Sequence, residues 1–150
     1  MKREGTLAIV PTYNEAGNIT KLLHGLFALG LDVLIVDDGS TDGTIDIAKA
    51  FDTLGNQINY LLRTSKQGLG SAYRAGYAWA LENGYQTIIQ MDADGSHQIS
   101  DLKMMLEYLD QNSNIELLIG SRWMKGGSIE NWSRFRELLS RTANKYTQFA

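Results

Sequence analysis

Cysteine is absent from the 150 residues, which excludes a disulfide framework and a thiolate metal site and gives no sign of an oxidising compartment. Long apolar runs are absent too. No stretch approaches the roughly 20 apolar residues that a membrane-spanning helix needs, and the apolar run within MKREGTLAIVPTYNE is too short for a secretory signal. The expected setting is cytoplasmic. Two nucleotide motifs are also missing. There is no G-x-x-x-x-G-K-[ST], which excludes a P-loop NTPase, and GLGSAYRAG at 68–76 lacks the third glycine of the dinucleotide motif. That segment follows the third apolar run, not the first, so it speaks against a nicotinamide or flavin site. Its glycines suit a tight turn and a close helix-to-sheet approach. No repeat, low-complexity tract or linker divides the chain, so residues 1–150 read as one domain.

What is present is an ordinary globular composition, 43% apolar and 21% charged. The net charge of −3 conceals an asymmetry: residues 1–121 carry 8 Lys+Arg against 15 Asp+Glu, whereas 122–150 carry 6 against 2. A basic tail on an acidic body is either a solvated face or a surface that meets an anionic group, such as a phosphate or an acidic membrane.

Apolar runs alternate with helical patterns. TLAIVPTY, DVLIVDDGS, INYLLR, TIIQMDAD and IELLIGSR read as strands. NITKLLHGLFAL, TIDIAKAFDTL, GSAYRAGYAWALENG and SDLKMMLEYLD, each 11 to 15 residues long, read as the helices between them. Continuously apolar strands separated by helices predict an α/β protein, a mostly parallel Rossmann-like sheet with helices on both faces. Ligands in such sheets sit beyond the carboxyl ends of the strands. Those ends read PTYNE, DDGS, the stretch 63–70, DADGSH and GSR, where the polar and glycine residues concentrate.

Asp92 and Asp94 converge only if the backbone turns, which Gly95 permits. Hard divalent cations take oxygen ligands, and Mg²⁺ commonly uses one or two carboxylates together with waters and substrate phosphate oxygens. An EF-hand loop does not fit, since its sixth and twelfth positions would be His97 and Lys103. The plainer alternative is that Asp94 and Ser96 form a turn and cap the next helix. Asp37 and Asp38 end the second strand, where alternation predicts that one faces the cleft while the other supports the loop; Ser40, Thr41 or Asp42 suits the cap of the following helix. In the tail, Phe135, Leu138, Leu139, Thr142, Tyr146 and Phe149 form an apolar helical stripe, while Arg136, Ser140 and Asn144 share another face that suits a phosphate or simply water.

Taken in order, PTYNE…N, DDGSTDGT, KQGLGSA, MDAD-x-SH, GSRW-x-x-GG and NW-x-x-x-R-x-x-x-S-R-x-x-N resemble glycosyltransferase family 2, in its branch of polyprenyl-phosphate mannose synthases. The resemblance spans nearly the whole chain. It implies a GT-A fold and inverting, metal-dependent transfer of mannose from GDP-mannose to a polyprenyl (dolichyl) phosphate. Mg²⁺ or Mn²⁺ is the implied cofactor. The implied partners are those two substrates and a membrane surface, or a membrane-anchored partner at the cytoplasmic face, with no nucleic acid. By the same resemblance, Pro11, Tyr13 and Glu15 bind guanosine, with Val36 and Asp38 completing the pocket. Met91, Asp92 and Ala93 line the diphosphate. Asp94 is the main metal ligand and a catalytic residue, with Asp92 and Ser96 as further oxygens. Arg122, the other catalytic residue, joins Arg136 and Ser140 at the sugar and acceptor phosphates. Gly95 and Ile99 depart from the family's usual apolar residue and proline, and the chain is shorter than family members, which implies that a C-terminal part is missing. Transfer from another nucleotide sugar such as UDP-glucose, or non-catalytic nucleotide-sugar binding, are the alternatives. A phospho-receiver domain is disfavoured because PTYNE stands where its acidic pair belongs.

Overall fold

The computed structural model describes residues 3–52 and 58–121 and positions 140 and 142. Eight elements follow in strict alternation: β1 (Thr6–Thr12), α1 (Ile19–Ala28), β2 (Asp32–Asp37), α2 (Thr44–Asp52), β3 (Ile58–Leu62), α3 (Leu69–Glu82), β4 (Thr87–Gln90) and α4 (Ile99–Gln111). All strand pairs are parallel, in the order β3-β2-β1-β4. β1 and β2 are buried along their whole length because each has a strand on both sides and helices on both faces. The edge strands β3 and β4 are only partly covered.

Side-chain alternation divides the core into two layers. Ala8, Val10, Val33 and Ile35 face α1, α2 and α4, while Leu7, Ile9, Leu34 and Val36 face α3. Each fully buried aliphatic side chain contributes about 1.5–3 kcal/mol, so both layers are needed. Parallel crossovers are right-handed. With α1 and α2 on one face, the chain steps outward from β1 to β3. It can return to the far side of β1 only through a helix on the opposite face, and α3 is that helix. Strand order therefore reverses between β1 and β4, which opens a crevice at their carboxyl ends.

Pro11 reinforces that opening. Met91 N–H donates to the Ile9 carbonyl at 3.2 Å, so the odd-numbered residues of β1 direct their backbone groups toward β4. Two residues on, Pro11 has no N–H to continue the ladder. The sequence reading of the GLGSAYRAG glycines is met at two places. Gly68 takes φ +89°, which the turn into α3 requires, and a Cβ on Gly76 would lie 2.6 Å from Ile9 Cγ2.

Asn112–Ala150 form a second compact unit. Its residues 115–121, read from sequence as the fifth strand, are neither helix nor strand, and Ile115 N–H bonds back to the Asn112 carbonyl in a turn. A strand exists only through pairing and burial, yet Leu117 and Ile119 remain exposed. Ser140 and Thr142 are helical, as expected for the tail. Arg122, Arg136 and the rest of the predicted tail helix lie outside the described residues.

Candidate functional site

The loops after β1 and β2 are laced together. Asp37, almost fully buried, accepts from Thr12 Oγ1 at 2.6 Å, Gly39 N at 3.0 Å, Ser40 N at 2.8 Å and Ser40 Oγ at 2.6 Å. Asn14 adopts φ 58°, and its N–H donates to Ser40 Oγ at 2.8 Å while its Oδ1 accepts from Thr41 N at 2.9 Å. Asp42 caps α2 by accepting from Thr44 N at 3.1 Å and also takes the Ala16 N–H at 2.9 Å. Hydrogen bonds from the Thr44 hydroxyl and then the Ala16 N–H hold its carboxyl below the ordinary range. Sequence reading had offered three capping candidates, and Asp42 is the one used.

Asp38 is buried as well. The Arg63 guanidinium pairs with its Oδ1, and the Gln67 N–H donates to its Oδ2 at 3.0 Å. Arg63 also donates to Ser71 Oγ on α3 at 2.9 Å. The expectation that one aspartate of the pair faces the cleft is therefore corrected: Asp37 holds the loop, and Asp38 holds the end of β3. The reason is a cation that is 25 residues away in sequence but adjacent in space, because β2 and β3 are neighbours in the sheet. Above this frame, Tyr13 is exposed and Lys66 Nζ stands 4.2 Å from its ring centroid.

The end of β4 is built differently. Met91 and Ala93 are buried in the layer shared with α1 and α4, while Asp92 between them meets Tyr73 of α3. Asp94 is exposed, and its Oδ1 accepts from Ser96 N at 2.8 Å in a turn that Gly95 enters at φ 76°. Asp92 keeps a side-chain exposure of 33%, and its Oδ2 is 3.8 Å from His97 Nε2. Its Oδ1 accepts from Tyr73 Oη at 2.6 Å. Burial, and then the bond to Asp92, push the Tyr73 phenol far up, so it stays a donor.

Among the described residues no cluster of three His, Cys, Asp or Glu could hold a metal ion by itself. Two carboxylates without a third suit a cation that completes its shell with water and phosphate oxygens. In that sense Asp92, Asp94 and Ser96 fit the expected group.

The remaining expected residues divide by exposure. Pro11 is a buried residue near the end of β1, while Tyr13 and Glu15 lie on the loop after it, where Glu15 N–H donates to Thr44 Oγ1 at 2.8 Å and Glu15 Oε2 accepts from Asn18 at 2.9 Å. Val36 is fully buried under α3, and Met91 and Ala93 belong to the core, so their side chains offer no polar contact. Ser140 is half-buried on the second unit. Arg63, Lys66 and Tyr73 were missed by sequence reading. Only the placement of Lys66 and Arg63 at a strand's carboxyl end was a usable signal.

A family profile described as Glycosyl transferase family 2 matches residues 7–150. The chain belongs to that family. It is 42% identical over 147 residues to a polyprenol monophosphomannose synthase of Mycolicibacterium smegmatis, covering 96% of this chain and 55% of that protein. Over 142 residues it is 42% identical to an undecaprenyl-phosphate mannosyltransferase of Micrococcus luteus, with 93% and 57% covered. A dolichol-phosphate mannosyltransferase of Pyrococcus furiosus is 34% identical over 139 residues, with 90% and 38% covered. The chain thus spans about half the length, or less, of the curated relatives it matches. Among solved structures, a mannosyltransferase of Pyrobaculum calidifontis in complex with GDP-Man and Mn²⁺ superposes with TM-score 0.56 at 25% identity, covering 73% of this chain and 33% of that one. The parallel α/β sheet expected from sequence is the observed fold, and its likeness to that enzyme places it with the GT-A transferases.

Proposed function

We propose that this chain forms the nucleotide-sugar side of an inverting mannosyltransferase that takes mannose from GDP-mannose and passes it to a polyprenyl phosphate. The observation that carries the reading is the partly exposed pair Asp92 and Asp94 at the carboxyl end of β4, where strand order reverses. The kinship to mannosyltransferases that act on polyprenyl phosphates supports the choice of substrates.

In this reading Pro11, Tyr13 and Glu15 border the guanosine, and Val36 and Asp38 shape that pocket from beneath. Met91 and Ala93 set the backbone along the diphosphate. Asp92, Asp94 and Ser96 would hold Mg²⁺ or Mn²⁺, which when bound neutralises charge developing on the departing GDP. Asp94 lies at the end of a fixed turn, so its carboxylate is preorganised for that role. Arg122 and Arg136, with Ser140, would meet the sugar and the acceptor phosphate. A phosphate monoester has its second pKa near about 6 and is largely dianionic at neutral pH, so the acceptor needs no general base. A sugar hydroxyl would need one.

The basic stretch 122–150 would bring the protein to an anionic membrane face. The test is mannosyl transfer from GDP-mannose to a polyprenyl phosphate by the chain extended to the length of its relatives. Metal-dependent transfer supports the proposal. Transfer from UDP-glucose, or to a sugar hydroxyl in place of the lipid phosphate, would overturn it.

A further inference from the structure

The GLGSAYRAG stretch fits no dinucleotide motif, yet it places Tyr73 on the first turns of α3 against the carboxyl end of β4. Gly76 lies three residues on, on the same helical face. With no side chain there, α3 comes close to Ile9 of the central strand, and the Tyr73 hydroxyl reaches across to Asp92 Oδ1 at 2.6 Å. We propose that Tyr73 is a positioning residue: its hydroxyl fixes the Asp92 carboxylate so that Oδ2, the oxygen on the His97 side, is presented to the metal and diphosphate.

Two observations support this. The bond is partly buried and joins a neutral donor to a carboxylate, the kind of hydrogen bond that contributes most. Tyr73 packs in the α3 core layer beside Tyr77, so its ring is held by contacts independent of Asp92. Restraining one carboxylate oxygen removes rotational freedom that metal binding would otherwise have to freeze.

The inference rests on the reading of Asp92 as a metal and diphosphate residue, and one experiment separates the two. GDP is titrated calorimetrically into the wild-type chain, Tyr73→Phe and Asp92→Asn, each with saturating Mn²⁺ and with EDTA. Phe keeps the packed ring and deletes only the hydroxyl. The expected result is that Tyr73→Phe loses about 3- to 30-fold of the Mn²⁺-dependent gain in GDP affinity, a fraction of the roughly 10- to 150-fold that one hydrogen bond to a charged group is worth. Its affinity in EDTA should match wild type, and Asp92→Asn should lose more of the gain. If Asp92→Asn loses the gain while Tyr73→Phe keeps it, Tyr73 positions nothing and the reading of Asp92 stands. An equal drop with and without Mn²⁺ would make Tyr73 merely structural and overturn the inference. If neither variant alters the gain, both the inference and the reading of Asp92 fall.

Discussion

Two aspartate pairs end two strands of the same sheet, and their surroundings assign them opposite work. Asp37 and Asp38, at the end of β2, are buried and occupied by internal donors: two hydroxyls and two backbone N–H groups on Asp37, and Arg63 and Gln67 N–H on Asp38. Asp92 and Asp94, beyond β4, keep solvent exposure while accepting from Tyr73 Oη and Ser96 N. A carboxylate saturated by its own protein is a strut, and one that retains access to solvent can exchange water for a cation. The residue type does not decide between these roles; the supply of neighbouring donors does.

The contrast can be broken most forcefully at Asp37. Asp37→Ala strands donors on both loops, and unsatisfied buried donors cost about 1–3 kcal/mol each before water enters, so a loss of about 3–5 kcal/mol in denaturant unfolding is expected. A loss below about 1 kcal/mol would mean that the loops hold without it. On the other pair the effect should move from stability to binding. Asp94→Asn keeps shape and deletes charge, so its melting temperature should stay near wild type while Mn²⁺-dependent GDP affinity falls about 100-fold, equivalent to about 2.7 kcal/mol. Unchanged metal dependence would sink the assignment of Asp94.

Gly95 separates geometry from charge at the same loop. A side chain there meets nothing within 4 Å, but φ is +76°, so Gly95→Ala should cost about 1–2 kcal/mol from backbone strain alone. Full stability in that variant would show that the turn is not fixed.

The smallest expected effect is an acid one, on the β2 side. The folded pKa of Asp42 is lowered by its Thr44 and Ala16 hydrogen bonds, so its contribution is fully present above the unfolded value of about 3.9 and fades as pH falls through the lower folded value. Melting curves of wild type and Asp42→Asn should differ at pH 6, begin to approach one another below about pH 4 and converge only once the pH is below the lowered folded value. A gap that persists in acid would place the effect in packing and not in charge.

Much of this was legible in the sequence because it is periodic. Unbroken apolar runs alternating with helical patterns gave the parallel sheet, and the strand ends located the polar loops. The Asp-x-Asp run before Gly95 marked the end of β4 as a candidate cation loop. What stayed illegible depends on contacts between distant segments. Nothing local shows that Arg63 occupies Asp38, that the Tyr73 hydroxyl reaches Asp92, or that Val36 is sealed beneath α3. The reading of a strand failed over 115–121 for the same reason: an apolar run specifies a strand only if an edge and a covering layer are there to receive it.

The central claim is that the open end of β4 binds a guanosine diphosphate sugar through a divalent cation, and calorimetric titration of the wild-type chain tests it most directly. GDP-mannose and UDP-glucose are each titrated with Mn²⁺ and with EDTA. The account predicts binding of GDP-mannose that Mn²⁺ strengthens at least about tenfold, a difference of about 1.4 kcal/mol, and markedly weaker binding of UDP-glucose. Equal affinities for the two sugars, or GDP-mannose affinity indifferent to Mn²⁺, would contradict it.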